Sequence, residues 1–545
     1  MFRATFSLVV LLSLVSCNYK NIEVDMIVHN AKVYTVDEQF SIVEAFAIKD
    51  GKIVELGAER AIMNKYKSEN VIDAKKQFVY PGFIDAHCHF LYYGLGLTSA
   101  DLVGTTSWND VLERMQIYSL GTDEPFLYGV GWDQNDWEEE EFPDNTRLNE
   151  LFPDRSVVLR RIDGHAVIAN DFALKMANIE AGQIVEGGIV ETKEGKLTGI
   201  LVDNAVDLIS KVYPLKNDKD IRKGLLEAQK NCFEVGLTTL DDAGLDRSDI
   251  ELIDAMQKEG SLKMRVYAMI ADHPDNLDYY FANGPVKTDR LNVRSVKVYA
   301  DGALGSRGAS LLKPYSDKPE EWGFLLASFD HYDSIAASCY ENGFQLNTHC
   351  IGDSANRYLT DVYAKVLGGT NDKRWRIEHA QIVSEIDIQK FKDFSIIPSI
   401  QPTHATSDMY WAEERLGKDR MDEAYPYQSL LKANGLVALG TDFPVEDIHP
   451  LKTFYAAVAR KDLKGYPEGA FLPEQKLSRK EALKGMTIWA ALANFEETEK
   501  GSLEVGKFAD FVILEQDLMS IDEIQIPEIK IMATYVNGEV VYKRK

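Results

Sequence analysis

Two histidines one residue apart close an apolar run, Pro81-Gly82-Phe83-Ile84-Asp85-Ala86-His87-Cys88-His89. On a strand, side chains at i and i+2 share a face, so His87 and His89 project together and Cys88 turns away. Two imidazoles side by side at the end of a buried strand are a ready pair of metal ligands. An isolated pair of this spacing also arises by chance on loops, so the rest of the chain must decide. It supplies further donors at other expected strand ends: His349 after Asn347-Thr348, His379 after Glu378, and Asp442 after Gly440-Thr441. In Val296-Lys297-Val298-Tyr299, alternation turns Lys297 and Tyr299 inward and the valines outward. Each has a bland reading alone. His349 or His379 reads as a satisfied core or loop histidine, Asp442 as a helix N-cap before Phe443-Pro444, and Lys297 as a snorkelling side chain or a partner of Asp301. Together, at separate strand ends, coincidence is a poor explanation.

The elements that must position these groups alternate between strand and helix. Strand-like runs fall at 83–86, 238–240, 265–270, 293–299, 344–348, 374–378, 395–400 and 436–439, with helix-compatible stretches such as 354–366 and 384–394. Eight such units predict an α/β fold, a (β/α)8 TIM-like barrel over 79–500, in which active groups sit at the C-terminal strand ends. The gap after the first strand is too long for a simple crossover. It holds strand-like runs at 126–130 and 157–160, so about 98–220 reads as an insertion built on the barrel. Its acidic run, Glu138 to Glu141, reads as a solvated loop. Both chain ends are β-rich. Residues 25–78 carry a hairpin turn at Asp50-Gly51-Lys52, and 501–545 carry one at Asn537-Gly538. The two parts predict one composite β-sandwich domain.

Composition narrows the partners. The chain has 545 residues, 45% hydrophobic, with a formal net charge of -26. Such a surface repels nucleic acid and anionic membranes, so neither is an expected partner; a small molecule is, and a homo-oligomer is left open. Arg3 precedes an apolar run at 6–15 that is too short to span a bilayer and reads as a signal-peptide core. Its end, Leu14-Val15-Ser16-Cys17, resembles a bacterial lipoprotein signal, cut after residue 16 with lipid on Cys17 and 17–24 as a tether. That resemblance implies a cell-envelope protein, lipid-anchored on the periplasmic or outer-surface side, with a plain secretory signal as the alternative. Cys88, Cys232, Cys339 and Cys350 show no C-x-x-C spacing and read as buried free thiols.

The motifs together carry a resemblance. Besides the opening segment they are Arg161-Ile162-Asp163-Gly164-His165-Ala166, the run from Lys297 to Ser306, His349-Cys350-Ile351-Gly352-Asp353, Ile377-Glu378-His379-Ala380-Gln381, Gly440-Thr441-Asp442-Phe443-Pro444-Val445 and Gly506-Lys507-Phe508-Ala509-Asp510. At these residues the chain resembles the amidohydrolase superfamily of metal-dependent hydrolases (amidohydrolase family 3), in the branch containing N-substituted formamide deformylase. The resemblance implies a divalent-metal site, one or two ions and zinc first among them. His87 and His89 would hold one ion, and His349 and His379 the other. Lys297, N-carboxylated, would bridge them, since an ammonium has no free lone pair. Asp442 would bind metal and act as general base and acid for hydrolysis of a non-peptide C–N bond, in a formamide or amide, by metal-activated hydroxide. His165, Arg307 and His404 would line the substrate pocket. A cyclic amide or imide hydrolase or a deaminase fits the same residues. A non-catalytic metal- or solute-binding lipoprotein is the reading of another class.

Overall fold

A computed structural model of the protein describes residues 22–214 and 217–545. The expected signal segment and Cys17 lie outside them. Eight parallel strands follow one another around a barrel: β1 (Phe83–Cys88), β2 (Leu237–Leu245), β3 (Arg265–Ala271), β4 (Leu291–Tyr299), β5 (Gln345–Cys350), β6 (Arg376–His379), β7 (Ile397–Ile400) and β8 (Ala438–Leu439). All eight coincide with the runs predicted from sequence, displaced only at their ends. The barrel closes just past the short β8. There the Asp442 amide donates to the His87 carbonyl at 2.8 Å, and the His89 amide to the Phe443 carbonyl at 2.8 Å. Asp85 stitches the same seam, accepting from the Thr441 amide at 2.9 Å and hydroxyl at 2.7 Å.

The alternation within β4 separates two environments. Val296 and Val298 join the apolar layer between barrel and helices, among Tyr332, Ile335 and Leu346. Lys297 points into the barrel, where it is 1% exposed. Burying that much polar chemistry requires partners. The floor supplies them: Arg376 pairs with Glu378 at 2.6 Å and Asp241 at 2.9 Å, and donates to the Ser399 hydroxyl at 2.8 Å.

Between β1 and β2 the chain builds a separate six-stranded sheet. Its spatial order is Ala100–Asp101, Phe126–Trp132, Ser156–Arg161, Ala166–Ala169, Lys196–Asp203 and Gly188–Lys193. The acidic run Glu138 to Glu141 is an exposed loop within this segment. The two chain ends meet in another six-stranded sheet, in which Phe511–Leu514 pairs antiparallel with Phe78–Pro81. That sheet packs on a four-stranded one made from Met26–His29, Ala45–Lys49, Lys52–Gly57 and Val71–Asp73. Phe46 meets Phe511 edge-on across the interface at 5.2 Å, and Phe511 stacks on Tyr535 at 4.3 Å. Arg265 at the start of β3 is fully buried against Asp510, at 2.6 Å, tying this sheet to the barrel floor.

Candidate metal centre

His87, His89, Lys297, His349, His379 and Asp442 converge at the C-terminal rim of the barrel. The i and i+2 positions of β1 send His87 and His89 to one side, their rings 5.7 Å apart. Cys88 goes the other way, to the Asp241 carbonyl at 3.5 Å. On β6, simple alternation admits Glu378 or His379 to the interior, not both. The backbone resolves this: β6 ends with His379 at φ +71°, a left-handed conformation that costs a non-glycine residue energy. The His379 ring thereby sits 4.8 Å from His87 and 4.5 Å from His349, while Glu378 reaches His87 from below. Asp442 is left-handed as well, at φ +65°. No helix follows it, so it caps none.

The histidines are held from behind. His87 Nδ1 lies 2.5 Å from Glu378 Oε2, His89 Nδ1 3.1 Å from the Ala243 carbonyl, and His379 Nδ1 2.7 Å from Gln401 Oε1. These partners only accept, so each Nδ1 carries the proton and each Nε2 turns a lone pair to the centre. Asp442 Oδ1 is 3.7 Å from His87 Nε2 and 3.4 Å from His89 Nε2. Its Oδ2 is 3.1 Å from His404 Nε2. Lys297 Nζ stands 3.2 Å from His87 Nε2, and pairing with Asp301 is not seen. Asp301 instead accepts backbone amides of Ser310, Ile351 and Gly352.

Protonation states suit a metal. Burial lowers the imidazolium pKa of His87 to about 4 and drives those of His349 and His379 well down. They are therefore neutral, the form that ligates. Burial would raise the Asp442 carboxyl, but contacts with His404 and His89 overcome it and hold the group well below the usual carboxylate range. Burial pushes Lys297 down to about 8. The fit to a divalent ion is tested by two atoms: His349 Nε2 and Asp442 Oδ1 are both buried with no hydrogen-bond partner. Orphans of this kind are rare, and a cation beside each would satisfy it. Ligand atoms of His87, His89 and Asp442 fall within 4.8 Å of one another, as do those of His379, His404 and Asp442. The second grouping contains His404 where the sequence reading had His349.

The three expected pocket residues fare differently. His165 reaches the centre from the insertion, its ring 5.1 Å from His349, with Nδ1 on Asp203 at 2.7 Å. His404, on Pro402–Asp408 just past β7, touches Asp442 itself and is braced by Glu446 at 3.1 Å. Arg307 is engaged elsewhere: its guanidinium lies 2.5 Å from Asp317, a carboxylate it shares with Arg415 at 2.6 Å. Sequence reasoning missed the supporting groups Gln401, Asp203 and Glu446. Gln401 stands beside Pro402 at the end of β7, a position that the strand-end search covered. Asp203 and Glu446 carry no local signal.

Comparison with known proteins adds to this geometry. A model of the amidohydrolase family matches residues 70–542. Protein LONG AFTER FAR-RED 3 of Arabidopsis thaliana is 31% identical over 95% of this chain and 91% of its own length. N-substituted formamide deformylase of Arthrobacter pascens is 26% identical over 95% of this chain and 98% of its own. An uncharacterized metal-dependent hydrolase from Pyrococcus horikoshii superimposes with a TM-score of 0.75 at 26% identity, over 91% of this chain and 99% of that one.

Proposed function

The chain belongs to the amidohydrolase family, and from that premise we propose that it hydrolyses a non-peptide C–N bond in an N-substituted formamide or amide. The observation that carries the proposal is the ionised Asp442 carboxylate, set among histidine Nε2 atoms with one oxygen unpartnered. One or two divalent ions, with zinc the first expectation, would be held by His87 and His89, by His349 and His379, and by Asp442; they would polarise the scissile carbonyl and acidify a water. His404 holds Oδ2, so Oδ1 faces the reacting groups. Asp442 takes the proton of the attacking water and delivers it to the departing nitrogen. His165, at the inner edge of the insertion, contacts the substrate opposite Asp442.

Lys297 completes the ligand set as a carbamate. As an ammonium, its charge would compete with an ion for His87 Nε2, which it faces at 3.2 Å. As the neutral amine, whose share its burial raises, it attacks CO2, forming an N–C bond and losing a proton. The product is an anion that can bridge two ions. The formamide substrate is supported by the 26% identity to the Arthrobacter deformylase.

The test is turnover of N-formyl, N-acyl and cyclic amides by zinc- and bicarbonate-supplied protein, beside Asp442→Asn. We expect release of amine from one group, lowered at least about 100-fold by the substitution. Equal turnover by both proteins, or none with metal shown to be bound, would sink the proposal.

A further inference from the structure

The insertion holds a cation near the metal centre that no carboxylate contacts directly among the described residues. Ser156–Arg161 ends in two adjacent arginines on opposite faces of its sheet. Arg161 is paired twice, with Asp133 and Asp163, and also reaches Gln134 at 2.8 Å. Arg160 forms no contact ion pair among the described residues, although its charge reaches the Asp207 carboxylate. The residues outside that set, 1–21 and 215–216, contain no Asp or Glu. Arg160 Nε and Nη2 both donate to one backbone carbonyl, that of Gly164, at 3.1 and 2.8 Å. Tyr128 and Tyr213 stand beside it with rings 5.5 Å apart, and the Tyr213 hydroxyl is buried without a partner. A half-buried guanidinium left this way is costly unless an anion visits it.

Its position relates it to the chemistry from two sides. Gly164 directly precedes His165, whose ring is 5.1 Å from His349. On the other flank Tyr92 lies 6.1 Å from His89, ring to ring, and feels the Arg160 charge, as do Tyr299 and His165. Arg460 also lacks a carboxylate, but it is fully buried between Tyr427 and Phe471 and offers no ligand a way in.

We propose that Arg160 recognises a carboxylate on the substrate, a few bonds from the scissile C–N bond. The proposal deepens the hydrolase reading above and rests on it for the bond that is cut. A planar guanidinium suits a planar carboxylate of one negative charge. The preferred substrates are then N-formyl or N-acyl compounds bearing a free acid, within a protein whose net charge of -26 otherwise repels acids.

The experiment uses matched probes on the full chain loaded with zinc. The substrates are N-formyl-4-carboxybenzylamine and its neutral isostere N-formyl-4-nitrobenzylamine. Calorimetry with the two free amines reads recognition without requiring turnover. We expect wild type to prefer the acid about 10- to 100-fold, mainly through KM, and Arg160→Gln to erase that preference. Arg160→Lys should recover part of it. A native circular-dichroism spectrum and an unchanged thermal midpoint show that the variant is folded. Equal acid binding by wild type and Arg160→Gln would overturn the proposal, as would equal losses on both compounds. Tighter binding of 4-phosphonobenzylamine than of the carboxylate would overturn the ligand class. If neither formamide is cut yet Arg160→Gln loses carboxylate binding, the hydrolase reading fails and the recognition role stands.

Discussion

At the scale of residues, the centre depends on groups behind the ligands as much as on the ligands. Glu378 fixes the His87 tautomer at 2.5 Å and is itself anchored by Arg376, all three being fully buried. The Arg376 charge and the hydrogen bond from His87 hold the Glu378 carboxyl well below its usual range despite burial. We expect Glu378→Gln to lower metal affinity about 10- to 100-fold. Its glutamine oxygen still accepts from His87, but the ring loses the polarising charge. Competition with a chromophoric chelator measures this, and an unchanged affinity would show that Glu378 does not support the metal ligands. His379 and Asp442 show the other device at this scale. Both occupy left-handed backbone, and such strain is retained where surrounding contacts over-determine it.

Among the elements, the end of β2 sets the loop that carries His89. Asp242 accepts the Leu91 amide at 3.1 Å, where Phe90–Gly96 begins its helix. Burial pushes its carboxyl up to about 8. An unfolded aspartate titrates near 3.9, about four units lower. The folded protein therefore holds a proton that the unfolded chain releases, and stability declines as pH rises from about 4 to about 8. Asp242→Asn keeps the acceptor for Leu91 and removes the titration. At pH 8 it should be more stable than wild type by at least about 1 kcal/mol, with the gap narrowing towards pH 5. Urea midpoints at the two pH values decide it; a gap independent of pH would show that Asp242 is ionised in the fold.

For the molecule as a whole, the barrel and the composite sheet are joined by a buried ion pair. Arg265 and Asp510 lie 245 positions apart and meet through two hydrogen bonds, at 2.6 and 3.0 Å. Replacing Asp510 by alanine strands the guanidinium in a dry site. We expect a loss of about 3–5 kcal/mol in denaturant unfolding. Adding Arg265→Met should restore much of it, because the uncompensated charge is then gone. A double variant no better than the single one would mean that geometry, and not charge, holds the junction. The same long-range logic governs the active rim, where the insertion's Gly164-His165 segment is brought against β5 from far along the chain.

Much of this was legible in the chain alone. Period-2 alternation announced that His87 and His89 share a face and that Lys297 turns inward, because strand geometry ties side-chain direction directly to residue spacing. Eight β runs with intervening helices announced a barrel, and barrels gather strand ends at one rim. Tertiary structure decided the rest. Glu378 and His379 both face the interior because the backbone turns left-handed between strand and loop, which alternation does not encode. Arg307 was expected at the substrate and instead binds Asp317, since a surface loop's partners depend on how loops fold over one another. Two neighbouring arginines read alike in the sequence. Only the sheet, by placing Arg161 in contact with two carboxylates and Arg160 in contact with none, told them apart.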